Sequence, residues 1–441
     1  MKQYPKYKPS NIDWIGDIPE HWDVKRLKYV ATASPSNIDK KSKEDEDSIF
    51  LCNYVDVYKN DFITDEIEFM KATASKAQIE KFTLRKGDII ATKDSESAKD
   101  IGIAALVKQD FENVVCGYHL TYIKPEKLVG EYLFRQFQSE YIKRKFETLA
   151  NGVTRYALGV DAFNCLNLVL PPESEQIEIA NYLDKKTQEI DQLINDKKQL
   201  IQLFEEEKTT IISQFITKGL DHSIEMINSG VEWIGEIPKY WVTKKLKYVL
   251  SDKLKYGANE SADEENRENP RYIRITDFGK NGKLKKDTFK SLPPEKANEY
   301  LLKEGDILFA RSGATVGKTF QFKNYTGIAC FAGYLIKASP NPDMILSDYL
   351  YLFTKTSNYE QWKNSIFNQA TIQNIGADKY AYLDITVPKV EEQKVIIDHI
   401  HKESDRIDSK IKKTKKLIDL LIEYRSALIS EVVTGKVKVI D

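Results

Sequence analysis

Hydrophobic and polar positions along the chain follow two patterns, each of which occurs twice. In 88–91, 103–107 and 166–170, and again in 272–275, 306–310 and 383–387, short β-rich runs lie between Gly, Asn and Asp turn residues. Mixed with shorter helical stretches, they predict α+β domains. From 173 to 217 and from 390 to 434 there is no proline or glycine. Glu, Gln, Asp and Lys abound there, and a proline precedes each start by one or two residues. These are the marks of two long helices.

Both helical segments repeat apolar residues at steps of three and four. The first stripe runs Gln176, Ala180, Leu183, Thr187, Ile190, Ile194, Lys197, Ile201, Phe204, Lys208, Ile211, Phe215; the second runs Gln393, Ile397, Ile400, Ser404, Ile407, Ile411, Thr414, Ile418, Leu421, Arg425, Leu428, Val432. Eight of twelve are apolar in each, with polar exceptions at the same steps. A stripe this narrow between charged flanks predicts a coiled-coil seam built on Leu183, Ile190, Ile194, Ile201, Phe204, Ile400, Ile407, Ile411, Ile418 and Leu421. At 1.5 Å per residue each helix reaches about 66 Å, longer than one such domain covers, so the two are expected to pair. Buried polar steps prefer each other. One register sets Thr187 opposite Thr414, with Lys197 by Ser404, Gln176 by Arg425 and Lys208 by Gln393; a second sets Lys197 opposite Thr414.

The repetition extends to identities. Trp14-Ile15-Gly16-Asp17-Ile18-Pro19-Glu20-His21-Trp22 returns as Trp233-Ile234-Gly235-Glu236-Ile237-Pro238-Lys239-Tyr240-Trp241, six of nine identical at an offset of 219. Lys25-Arg26-Leu27-Lys28-Tyr29-Val30 returns as Lys244-Lys245-Leu246-Lys247-Tyr248-Val249, and Gly87-Asp88-Ile89 as Gly305-Asp306-Ile307. At an offset of 217, Tyr132-Leu133 matches Tyr349-Leu350, Pro171 and Glu175-Gln176 match Pro388 and Glu392-Gln393, and Ile212-Ser213 matches Ile429-Ser430. This is a tandem duplication of half the chain, a period too long for a solenoid. Each helix follows its own domain, so a quasi-two-fold chain lays the helices antiparallel. The expected domains are 1–172 and 222–388, with helical segments 173–221 and 389–441.

Composition narrows the class. The 441 residues allow two to four domains, and 41% apolar with 30% charged residues describes a globular chain. No run approaches the roughly 18 apolar residues of a membrane span, and Met1-Lys2-Gln3-Tyr4-Pro5 lacks a signal-peptide core, so the expectation is a cytoplasmic protein. Cys52, Cys116, Cys165 and Cys330 are too far apart for a Cys-x-x-Cys pair and read as reduced packing residues. With 66 basic against 67 acidic side chains the net charge is −1. That argues against indiscriminate polyanion binding, though not against local positive charge.

The ordered, duplicated motifs, together with Glu423-Tyr424-Arg425-Ser426-Ala427-Leu428-Ile429-Ser430-Glu431-Val432-Val433-Thr434-Gly435-Lys436 at the end, resemble the specificity subunit of type I restriction–modification enzymes over essentially the whole chain. The resemblance implies two target-recognition domains, each reading one half of a bipartite, asymmetric double-stranded DNA sequence, held apart by two antiparallel helices. It also implies that the helices dock two methyltransferase subunits, with restriction/translocase subunits added. S-adenosylmethionine, ATP and Mg2+ would then belong to those partners, leaving no catalytic residue, cofactor or metal for this chain. One turn inserted into 190–208 is expected to change the permitted gap between half-sites. Competing classes are a self-contained DNA-cleaving or DNA-methylating enzyme, which needs a catalytic constellation, and a DNA-independent coiled-coil scaffold, which leaves two loop-varied domains without a purpose.

Candidate DNA contacts lie where the copies diverge within a shared frame. The offset falls from 218 at Gly87/Gly305 to 215 at Gly102/Gly317, so the second loop is three residues shorter. Lys93 and Lys99 in the first loop, and Arg311 and Lys318 in the second, suit guanine edges or phosphates; Ser95, Ser312 and Thr315 are short hydrogen-bonders. A second pair of segments offers Arg155 and Tyr156 in one copy and Gln369, Thr371, Gln373 and Asn374 in the other, with amides suited to adenine and Arg155 to guanine. Asn53 and Arg274 hold matching strand positions, as a structural or a contacting pair. Ser312-Gly313-Ala314-Thr315-Val316-Gly317-Lys318-Thr319 resembles a phosphate loop with its first glycine replaced, but Phe320-Gln321-Phe322 alternates like a strand where a helix is required. Asn269-Pro270-Arg271-Tyr272 lacks one proline of the amino-methyltransferase motif, and His399 and His401, two apart on a helix, point to different faces.

Overall fold

The computed structural model describes residues 2–261, 265–279, 282–313, 315–367 and 374–439. The chain divides into two compact units, Met1–Lys197 with Lys415–Asp441, and Lys198–Thr414. Each is α+β and each follows the same plan.

In the first unit, strand Ile89–Thr92 lies between antiparallel Leu120–Pro125 and Ala104–Val107. Ala31–Pro35 extends the sheet antiparallel on one side and Phe62–Ile63 parallel on the other. A second sheet sets Asp47–Cys52 between Val114–Cys116 and Met70–Ala74. In the second unit, Ile307–Ala310 lies between Leu335–Ala338 and Thr319–Gln321, with Lys255–Tyr256 outside, and Arg271–Ile273 pairs with Ala329–Phe331.

The central strands are apolar without interruption because both faces are covered. Side chains alternate between faces, so Ile89 and Ala91 enter a core with Trp22 and Leu133, while Ile90 enters another with Leu51 and Cys116. Ile307 and Phe309 join Trp241 and Leu350, while Leu308 joins Phe331. All four cysteines are free and three are buried.

The Gly-Asp-Ile motif has a local cause. Gly87 and Gly305 both sit at φ +90°, a backbone state that side chains with a Cβ rarely adopt. The next residue closes the turn: Asp88 Oδ2 accepts from the Arg85 N–H at 2.7 Å and Asp306 Oδ2 from the Lys303 N–H at 2.8 Å.

The long helices span Glu173–Lys218 and Val390–Val433. In the first unit the start of one meets the end of the other. Gln176 Oε1 accepts from the Val129 N–H at 2.9 Å, and the Tyr132 hydroxyl lies 3.1 Å from the Val433 carbonyl. Farther along, Arg425 Nε pairs with Asp191 Oδ1 at 3.0 Å, so the two segments run antiparallel. The second unit repeats this with the roles exchanged. Gln393 Oε1 accepts from Leu346 N–H at 2.8 Å, the Tyr349 hydroxyl donates to Ile216 O at 2.8 Å, and Lys208 pairs with Asp408 at 2.7 Å.

Seam residues Leu183, Ile190, Ile194, Ile400 and Ile407 are buried. Ile201, Phe204, Ile411, Ile418 and Leu421 are half-buried, as expected where two helices alone cover one face of each other. The register that sets Thr187 opposite Thr414 is overturned. Lys208 lies by Asp408, not Gln393, and Arg425 by Asp191, not Gln176. The second register, with Lys197 opposite Thr414, misses these pairs by about one and a half helical turns. The polar-step rule has no force here because each threonine hydroxyl is satisfied in its own helix, Thr187 by Asp184 O and Thr414 by Lys410 O. Gln176 and Gln393 are likewise joints to the domains rather than seam positions.

Candidate nucleic-acid interface

Equivalent hydrogen bonds align the loops of the two units. The Lys93 N–H donates to His119 O and its carbonyl accepts from Leu158 N–H; Arg311 does the same with Tyr334 and Ile375. Asn53 and Arg274 also correspond, their N–H groups donating to Asp56 and Asp277 at 2.7 Å each.

In the first unit Asp94–Ser95 pairs antiparallel with Tyr156–Ala157, which sets Ser95 across from Tyr156 and brings Arg155 to the same two-stranded ribbon. The Arg155 side chain is 58% exposed, and its Nη2 lies 2.5 Å from Asp94 Oδ1. His119 Nδ1 lies 2.7 Å from the other oxygen, Asp94 Oδ2. Tyr54 and Tyr58 stack at 5.5 Å beside them, and the Tyr58 hydroxyl bonds Asp100. An open cleft of about 690 Å³ is lined by Tyr54, Asp94, Ser95, Asp100 and Arg155 among others. Lys99 is exposed at the rim segment Ala98–Asp100. Lys93 turns inward: its Nζ donates to Ser36 O at 3.0 Å and sits 4.5 Å over the Tyr118 ring. Burial pulls its pKa below the usual lysine range.

In the second unit Arg311 lies over the Tyr256 ring at 4.9 Å, and Ser312 bridges to Asn374. Ser312 shares a cleft of about 440 Å³ with Arg274, Tyr272 and Tyr334. Arg274 is braced by Asp277 and donates to Thr288 O at 2.7 Å. Thr315 and Lys318 lie elsewhere, in the turn before strand Thr319–Gln321, where they line a cleft with Lys355 and Lys363. Because a strand follows this turn, the phosphate-loop likeness has no helix N-terminus to complete it. Gln369, Thr371 and Gln373 lie outside the described residues.

Sequence reasoning missed Asp94, His119, Tyr54 and Tyr58. The signal was faint: Tyr54 and Tyr58 stand four apart just after Asn53, and Asp94 follows Lys93 in a loop whose cations are the expected DNA contacts.

The family model described as "Type I restriction modification DNA specificity domain" matches residues 19–203 and 238–419. The chain belongs to this family. Type I specificity subunits of known name are similar along its length. A putative MjaX specificity subunit of Methanocaldococcus jannaschii is 23% identical over 98% of both chains. The StySPI specificity subunit of Salmonella potsdam is 20% identical over 87% of this chain and 82% of its own. Among solved structures, a chain from a study of assembly and conformational transition in the type I R-M system covers 95% of this chain and 99% of its own at TM-score 0.69 and 16% identity. The HsdS subunit from Thermoanaerobacter tengcongensis covers 95% and 98% at TM-score 0.54 and 16% identity. These likenesses place the fold in the type I specificity class. The chain is thus a type I restriction–modification specificity subunit with two recognition domains on a duplicated α+β frame.

Proposed function

We propose that each recognition domain of this specificity subunit reads one half of a bipartite, asymmetric DNA target, and that the long helices dock two methyltransferase subunits, with restriction/translocase subunits joining them. In this reading the chain is non-catalytic and cytoplasmic. S-adenosylmethionine, ATP and Mg2+ serve the partner subunits, which methylate adenine or cut where this chain directs them.

One observation carries the reading. The two units share their joints, residue for residue, yet differ in the loops beside them: Lys93 and Asp94 in one stand where Arg311 and Ser312 stand in the other. A frame kept constant under two unlike loops suits two unlike half-sites met in equivalent orientation. Exposed Arg155, half-buried Arg311 and neighbouring hydroxyls supply donors for base edges.

The test is to express the chain with and without its methyltransferase subunit and map methylated adenines on DNA. Methylation confined to one bipartite sequence, and requiring both chains, supports the reading. Specific methylation or cleavage by this chain alone overturns it.

A further inference from the structure

We propose that Asp94 is a specificity-determining positioning residue of the first recognition domain: it locks the Arg155 guanidinium in the pose that reads a guanine edge, and is itself held in place by His119. The proposal rests on the DNA-reading role proposed above and names one device through which that role is carried out.

The chemistry of the cleft selects a base over a phosphate. Its lining includes three carboxylates, Asp94, Glu96 and Asp100, against a single cation, Arg155. A phosphate entering there meets like charge, whereas a base edge is neutral and offers Arg155 two acceptors in the plane its fork matches.

The brace fixes which hydrogens are offered. Asp94 uses one oxygen for Arg155 Nη2 at 2.5 Å and the other for His119 Nδ1 at 2.7 Å. A carboxylate accepts, so His119 carries its proton on Nδ1. Arg155 Nη2 also lies 3.3 Å from that nitrogen, but there donor faces donor and no bond forms. Arg155 therefore keeps Nε–H, both hydrogens of Nη1 and the second hydrogen of Nη2, which is enough for a bidentate contact. Asp94 has both oxygens engaged and a side chain only 12% exposed, so it orients the reader and is not itself one.

The backbone makes the brace stiff. Asp94 lies in one strand of the ribbon, and Arg155 immediately precedes the other, Tyr156–Ala157. An unbraced arginine spreads over many rotamers, and an oriented one loses less freedom on binding. The second unit has Ser312 at the position of Asp94 and holds Arg311 against the Tyr256 ring instead. The device therefore belongs to one half-site.

The test uses the chain in complex with its methyltransferase subunit, on a DNA library randomised through both half-sites, with methylated adenines sequenced. The variants are Asp94→Asn, Asp94→Ala, Arg155→Ala and the double variant Asp94→Ala/Arg155→Ala, each checked for folding by thermal unfolding. Asp94→Asn and Arg155→Ala are expected to relax discrimination at the same G·C pair of one half-site by roughly 5- to 150-fold. The double variant loses no more than Arg155→Ala, and the other half-site keeps its preference. Relaxation at different base pairs overturns the proposal, as does an even loss of methylation with base preference intact, the signature of a merely structural carboxylate. Arg155→Ala removes an exposed side chain and keeps the test decisive if an Asp94 variant unfolds, because unchanged preference in that variant also overturns the proposal. A wild-type complex without sequence preference instead overturns the DNA-reading role itself.

Discussion

The indole N–H of Trp22 donates to Glu175 Oε2 at 3.0 Å, joining a domain core to the first turn of the helix that follows it. Trp241 and Glu392 repeat the bond at 3.2 Å in the second unit. Both indoles are buried, so removing the acceptor deprives a buried donor of its partner. Glu175→Ala and Glu392→Ala are each expected to cost about 1–3 kcal/mol. Urea denaturation of the single variants checks this, and equal losses in the two indicate that the two joints are energetically equivalent.

Two arginines of the first unit contrast burial with exposure. Arg135, with a side chain 1% exposed, places Nη2 at 2.5 Å from Asp184 on the first long helix. Arg425 pairs with Asp191 and Asp61 in a more open setting. Asp184→Ala strands a buried cation and is expected to cost about 2–3 kcal/mol, below the full value for a buried pair because Asp184 is partly open to water. Asp191→Ala should cost at most about 1 kcal/mol and lose even that in high salt. Denaturation at low and high salt separates the two.

Burial pushes the Lys355 ammonium, which bonds the Thr319 hydroxyl at 2.8 Å, down to about 8 from 10.5. Below pH 8 both folded and unfolded chains carry the proton and the folded state bears the full desolvation penalty. Between about 8 and 10.5 the folded chain sheds the proton while the unfolded chain keeps it, so this residue makes stability rise with pH, on the order of 1–3 kcal/mol. Lys355→Gln should flatten that rise in denaturation curves recorded from pH 7 to 10.

Lys93 and Arg311 hold the same backbone position but are expected to behave differently. Arg311→Ala should relax discrimination at one base pair of the second half-site by about 1–3 kcal/mol. Lys93→Met, which removes an inward amino group bonded to Ser36, should change stability and leave base preference as it was. Methylation mapping of both variants distinguishes the outcomes.

The duplication, the long helices and the short β runs were legible in the sequence because each is a matter of period, composition or identity. The helix register was not, since a seam rich in isoleucine accepts several alignments and Thr187 and Thr414 bond their own helices. The repeated Glu175-Gln176 and Glu392-Gln393 could be seen as repeats, but their work as joints needs Trp22, Val129, Trp241 and Leu346, which lie far away in sequence. At the interface, the cation Lys93 is legible but the direction of its side chain depends on a distant carbonyl, and no local pattern links Asp94 to the residues that it bonds. A carboxylate beside DNA looks unfavourable until its partners Arg155 and His119 are in place.

The first unit takes its C-terminal segment from the far end of the chain: Leu428, Ile429, Val432 and Val433 fill its core beside Trp22 and Leu133. The second unit is one uninterrupted stretch. During synthesis, therefore, 198–414 can close before 415–441 has emerged, while Met1–Lys197 waits for that later segment to complete its core. A stop codon just before Lys415 would strip the first unit of part of its core and leave the stretch of the second unit whole.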